Sequence, residues 1–101
     1  MDKLVRDRIP ELFGGSARAL DPEEFRAALG AKLQEEVAEY LHSGEELELA
    51  DVLEVVYALA RLNGLTPSEL EDLRAQKAGE RGGFEARLWW TAPTSDPPGP
   101  C

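Results

Sequence analysis

Two stretches of the chain repeat apolar residues at helical spacing, and acids interrupt both repeats where apolar residues are due. At about 100° per residue, Phe25, Leu29, Leu33 and Tyr40 fall within a narrow arc of one helix. Glu36 falls inside that arc and Glu39 on its edge. In the second stretch Asp51 shares a stripe with Leu47, Val55, Ala58 and Leu62, flanked by Glu48 and Glu54. Ionised carboxylates are almost never left unpaired in a core, because desolvating them is too costly. For a single acid, a boundary position with its tip in water is the ordinary outcome. Here two pairs at i, i+3 spacing, Glu36/Glu39 and Glu48/Asp51, sit on neighbouring helices and can point at one spot. Four converging carboxylates repel unless a cation lies between them.

Capping signals set the expected limits of these helices. Asp21-Pro22-Glu23-Glu24 offers an N-cap, a proline suited to the first helical position and a capping-box glutamate. The first long helix therefore starts there and runs to about Leu41 or His42. Ser43 reads as the N-cap of a second helix, with Glu46 three residues on, and that helix ends near Asn63 with Gly64 as its stop. Thr66-Pro67-Ser68-Glu69 opens a third helix, which runs to about Arg81 and is broken by Gly82-Gly83. Ahead of them, MDKLVRDRIPELFG reads as an extended start and a short helical turn from Ile9 to Phe13. Phe84 to Trp90 alternates well enough for a short C-terminal strand, or for an apolar flap.

The expected fold class is all-α: an antiparallel helical hairpin plus a third helix. The second helix is apolar nearly all round from Leu49 to Ala60, the mark of a central helix. So short a chain has few helices with which to surround it. A homodimer that pairs two hairpins into a four-helix bundle would supply the missing partners. Residues 1–90 read as one domain, and 91–101 (TAPTSDPPGPC) as a disordered proline-rich tail.

Charge narrows the partners. The 20 acids against 11 basic residues give a formal net charge of -9, which argues against binding to nucleic-acid phosphates or an anionic membrane. The one cysteine, Cys101, allows no intramolecular disulfide and no cysteine metal site. No apolar run reaches the length of a membrane span and no signal-peptide core opens the chain, so a cytoplasmic location is expected.

An oxygen-only set of Glu36, Glu39, Glu48 and Asp51 suits a hard cation, Mg²⁺ or Mn²⁺, which shares its remaining positions with water and phosphate. Glu35, beside the first pair, either reaches a second ion or orients a water, or else is a solvated surface acid. Glu54, one turn beyond Asp51, reads as an outer ligand or a surface charge. Lys77 and Arg81 at i, i+4, and Lys3, Arg6 and Arg8 near the N-terminus, are cations of the kind that meet phosphates, although such pairs often serve only solubility. Glu39-x-x-His42 has the spacing of carboxylate-bridged di-iron bundles, but those need two such motifs and this chain has one.

The pattern E-E-x-x-E followed by E-x-x-D on the next helix resembles the all-α nucleoside triphosphate pyrophosphohydrolases of the MazG-like superfamily. Within it, the chain is most similar to the small single-domain branch related to phosphoribosyl-ATP pyrophosphohydrolase. K-L-V-R-D-x-I-P-E (Lys3 to Glu11) and K-x-x-x-R-G-G-F (Lys77 to Phe84) complete the resemblance, with Arg8 where the family pattern has lysine and a tail the family does not require. The resemblance implies Mg²⁺-dependent cleavage of a nucleotide between its α and β phosphates. It implies Glu36, Glu39, Glu48 and Asp51 as metal ligands and Glu35 as a second-metal ligand or water-orienting base. Lys77 and Arg81 would meet the phosphates, and the Lys3-Arg6-Asp7 segment would close over the ligand. Two other classes compete: a non-catalytic helical dimerisation module, and a di-iron carboxylate protein dependent on His42.

Overall fold

A computed structural model describes residues 3–93, and within them the chain forms four α-helices: α1 (Ile9–Phe13), α2 (Pro22–Ser43), α3 (Glu46–Leu62) and α4 (Pro67–Arg81). The capping box at the start of α2 is complete. Glu24 N–H donates to Asp21 Oδ1 at 2.9 Å, and Asp21 N–H donates to Glu24 Oε1 at 3.2 Å. Because Pro22 has no N–H, this helix end has three amides without a helical partner, and the box satisfies two of them.

The link between α2 and α3 differs from the expectation. Ser43 is the last residue of α2, not the cap of α3. Gly44 follows at φ 69°, ψ 11°, the left-handed conformation that glycine adopts without a Cβ penalty, and its N–H donates to Tyr40 O at 2.7 Å. The Ser43 hydroxyl instead accepts from Glu45 N–H at 3.2 Å, and Glu45 stands at the N-cap of α3 without a side-chain cap bond. The glycine reversal consumes Ser43 in the preceding helix, so its oxygen steadies the connection rather than the next turn.

So tight a turn lays α3 back along α2, and these two helices pack together as the hairpin. At the far end Arg26 Nη1 donates to Asn63 Oδ1 at 3.1 Å, tying the start of α2 to the end of α3. Among the described residues, Leu29, Val55 and Ala60 are the buried apolar ones. Glu36 is buried with them. Val37 and Leu41 on α2, and Leu47, Leu49 and Leu53 on α3, remain exposed on the single chain.

The chain divides into two compact units, Met1–Pro67, which holds the hairpin, and Ser68–Cys101, which holds nearly all of α4. Past α4, no strand forms at 84–90, nor anywhere else among the described residues. Arg87 N–H closes a turn onto Phe84 O at 3.1 Å, with Arg87 itself at φ 55°, and Phe84, Leu88 and Trp89 are all more than 85% exposed. An alternating segment becomes a strand only with a neighbour to complete its ladder, and the described residues supply none. The expected disordered tail, with Cys101, lies outside the described residues from 94 onward. No described helix is long and apolar enough to cross a membrane.

Candidate metal centre

The hairpin brings five acids together as two overlapping sets. Glu36, Glu48 and Asp51 offer oxygens that all lie within 4.8 Å of one another, and so do Glu35, Glu36 and Glu39. Glu36 belongs to both. The reason is local geometry: Glu36 and Glu39 are one turn apart on α2, Glu48 and Asp51 one turn apart on α3, and the short Gly44 turn sets these turns side by side. At an effective dielectric of about 20, two like charges 4.8 Å apart repel by about 3.5 kcal/mol. The sets therefore require compensation.

Two cations provide part of it. Lys32 Nζ lies 3.2 Å from Glu35 Oε2 and 3.3 Å from Glu36 Oε1, with its side chain only 16% exposed. Arg6, from the segment ahead of α1, reaches Asp51 Oδ1 with Nη2 at 2.6 Å, in a pair that is 55% and 38% exposed. Against five acids, two cations leave a deficit of three charges. Glu36 Oε2 and Glu48 Oε2 are buried and accept no hydrogen bond. Buried carboxylate oxygens without a donor are costly, and a hard cation is the partner that oxygen-only donors fit.

The titration of these groups follows the same geometry. Burial pushes the Glu36 carboxyl above its ordinary range against the pull of Lys32, and the charges of Glu39 and Asp51 add to the rise. Burial also opposes the charge on Lys32, but the hydrogen bonds and charges of Glu35 and Glu36 outweigh it and raise its pKa.

A cleft of about 570 Å³ opens beside the centre. Leu4 to Arg8 form one wall and the facing sides of α2 and α3 the other, with Phe25, Leu29, Val55 and Ala58 as an apolar stretch and Glu36 and Asp51 among the acids that line it. Arg6 and Asp7 line this cleft, as does Glu54; Lys3 is exposed and does not. Lys77 and Arg81 belong to the second unit, where both are exposed on α4. His42 is exposed at the end of α2 and joins neither acidic set among the described residues.

Lys32 is the residue that sequence reasoning overlooked. Its signal was present: K-x-x-E-E puts it one turn before both Glu35 and Glu36, and the helical arc places it beside Phe25 and Glu36.

No protein-family model matches the chain, and no solved structure matches it. It is 57% identical over 44 residues to an uncharacterized protein of Mycolicibacterium smegmatis. The matched stretch covers 39% of this chain and 45% of that protein, so the likeness spans less than half of either.

Proposed function

We propose that this chain is a Mg²⁺-dependent nucleotide pyrophosphohydrolase, with Mn²⁺ as a substitute, which splits the α–β phosphate bond of a nucleoside triphosphate or related nucleotide. The observation that carries this reading is the pair of buried, unpartnered oxygens, Glu36 Oε2 and Glu48 Oε2, in one set with Asp51 from the facing helices. The family resemblance of the three motifs supports it independently of that geometry.

Glu36, Glu48 and Asp51 are assigned to hold the ion, and Glu39, one turn further along α2, belongs to the neighbouring set with Glu35 and Glu36. Held by these residues, Mg²⁺ would supply charge neutralisation of the triphosphate, a water of lowered pKa and stabilisation of the pyrophosphate leaving group. Glu35, which accepts a hydrogen bond from Lys32, is assigned to orient the attacking water and take its proton. The water oxygen bonds to the α phosphorus, the bridging α–β P–O bond breaks, and monophosphate and pyrophosphate leave. Arg6 and Lys3 are assigned to the phosphates, where arginine forks and lysine point charges orient the chain of anions; for Lys77 and Arg81 that role rests on the resemblance alone. The enzyme acts as a cytoplasmic homodimer in which the exposed apolar residues of α2 and α3 close a four-helix bundle.

Product analysis tests the reaction. The full chain with Mg²⁺ is expected to give monophosphate and pyrophosphate from at least one member of a panel of canonical, deoxy, oxidised and phosphoribosylated nucleotides. Diphosphate plus phosphate, or no product with either Mg²⁺ or Mn²⁺, overturns it.

A second reading, a non-catalytic dimerisation module, is favoured by Val37, Leu41, Leu49 and Leu53, which stand exposed on the hairpin. It requires a melting temperature that Mg²⁺ does not change.

A further inference from the structure

The two acidic sets differ in what already neutralises them. Lys32 Nζ contacts Glu35 Oε2 and Glu36 Oε1, so both of its partners belong to the set Glu35, Glu36, Glu39. The two buried oxygens without a donor, Glu36 Oε2 and Glu48 Oε2, both belong to residues of the other set, Glu36, Glu48, Asp51. Glu36 thus turns one oxygen to a resident ammonium and leaves the other unmet.

The two cations also differ in how firmly they are held. Lys32 is 16% exposed and sits one turn from its partners on the same helix, so its position is built into α2. Arg6 reaches Asp51 through an exposed pair from outside the hairpin, the kind of ion pair that water and competing ions readily exchange.

We infer that the centre takes one resident divalent ion, between Glu36 Oε2, Glu48 and Asp51, and that the Lys32 ammonium fills the place of a second ion among Glu35, Glu36 and Glu39. Lys32 is then a positioning residue: it holds Glu35 and Glu36 at fixed distance from each other without a second metal. Glu39 acts through that set rather than as a direct ligand of the resident ion. The inference rests on the metal-centre reading above.

The test is equilibrium dialysis of the full chain against Mn²⁺ alone, with no nucleotide to carry metal in, and free ion read by electron paramagnetic resonance. One Mn²⁺ per chain is expected for the wild type. Lys32→Met keeps the aliphatic packing and is expected to bind two, whereas Lys32→Arg keeps the charge and is expected to bind one. Circular dichroism checks that each variant is folded. Should Lys32→Met fail to fold, Glu48→Gln is expected to weaken the single site at least ~10-fold, and Glu39→Gln to change it less than ~3-fold. Two ions on the wild type, Lys32→Met unchanged at one, or equal losses from Glu39→Gln and Glu48→Gln overturn the inference. No ion on the wild type removes the metal centre itself, a result distinct from the other three.

Discussion

The Arg6 guanidinium holds the Asp51 carboxylate at 2.6 Å across 45 positions of sequence. One of the acids assigned to the metal is therefore paired with the N-terminal segment that walls the cleft. Metal and arginine cannot both hold that oxygen at full strength, so on the proposed metal-centre reading an ion bound there would free a guanidinium beside the place where phosphates would lie. Arg6→Gln is expected to cost the fold little, about 0–1 kcal/mol as for other exposed pairs. It should lower the Mg²⁺ concentration that raises the melting temperature by half its maximum, while raising KM for the nucleotide. Thermal melts across a Mg²⁺ titration check the first effect, and an unchanged or higher midpoint counts against competition at Asp51.

Glu36 is buried, one of its oxygens lacks a partner, and its ionised form is disfavoured by desolvation. Glu36→Gln is therefore expected to stabilise the metal-free protein at neutral pH, to abolish the Mg²⁺-induced rise in melting temperature, and to reduce turnover at least ~100-fold. Lys32 keeps Glu35 as a partner in that variant, so its ammonium is not left unpaired. A variant that melts lower than wild type without Mg²⁺ would show that the Lys32 contact outweighs desolvation.

Two glutamates on α2 give pH dependences of opposite sign. Glu24, exposed and hydrogen-bonded by Arg18 and by the Asp21 amide, is lowered to about 2. Its contribution is present above the ordinary carboxylate value of 4.5, is lost as pH falls through about 2, and weakens in salt because the group is exposed. Glu36 is raised, so the fold holds its proton more tightly than the unfolded chain does. It contributes stability that grows as pH falls from neutrality through its raised folded value and is complete below the unfolded one. The metal-free melting temperature should therefore rise on mild acidification and fall in strong acid. Glu36→Gln should remove the rise, and Glu24→Gln should reduce the fall. With Mg²⁺ present the stabilisation by metal should shrink over the range where Glu36 takes up its proton. Melts at stepped pH, with and without Mg²⁺, separate these contributions.

Leu53, on α3, is 46% exposed and Val37, on α2, 39% exposed, apolar side chains that lie off the stripes through which the hairpin packs. Under the dimer reading these faces are covered by a second copy. Val37→Glu combined with Leu53→Glu is expected to halve the mass seen by sedimentation while circular dichroism remains helical. Retention of the dimer mass would mean that another face joins the copies.

The helices were legible because their signals act within a turn. Asp21 and Glu24 specify the start of α2, Gly64 the end of α3, and the period of Leu29, Leu33, Glu36 and Tyr40 identifies an acid that the fold then buries. Even the Lys32 pairing was available at that range, one turn from Glu35 and Glu36. Ser43 was misread because a helix end and the next helix start compete for one serine, and the left-handed Gly44 decides between them. Of the two readings at 84–90, the strand fails because a strand depends on a neighbour that no local pattern supplies.

By itself, then, the sequence determined the helices, the junction at Ser43 excepted, and that acids would interrupt their apolar faces, since caps and periodicity are short-range effects. Only the tertiary structure decided that Glu36 would be shared between two acidic sets, and that Arg6 would reach Asp51. Those contacts join residues distant in sequence, and they exist only once the Gly44 turn has laid α3 along α2 and the N-terminal segment has come against the hairpin.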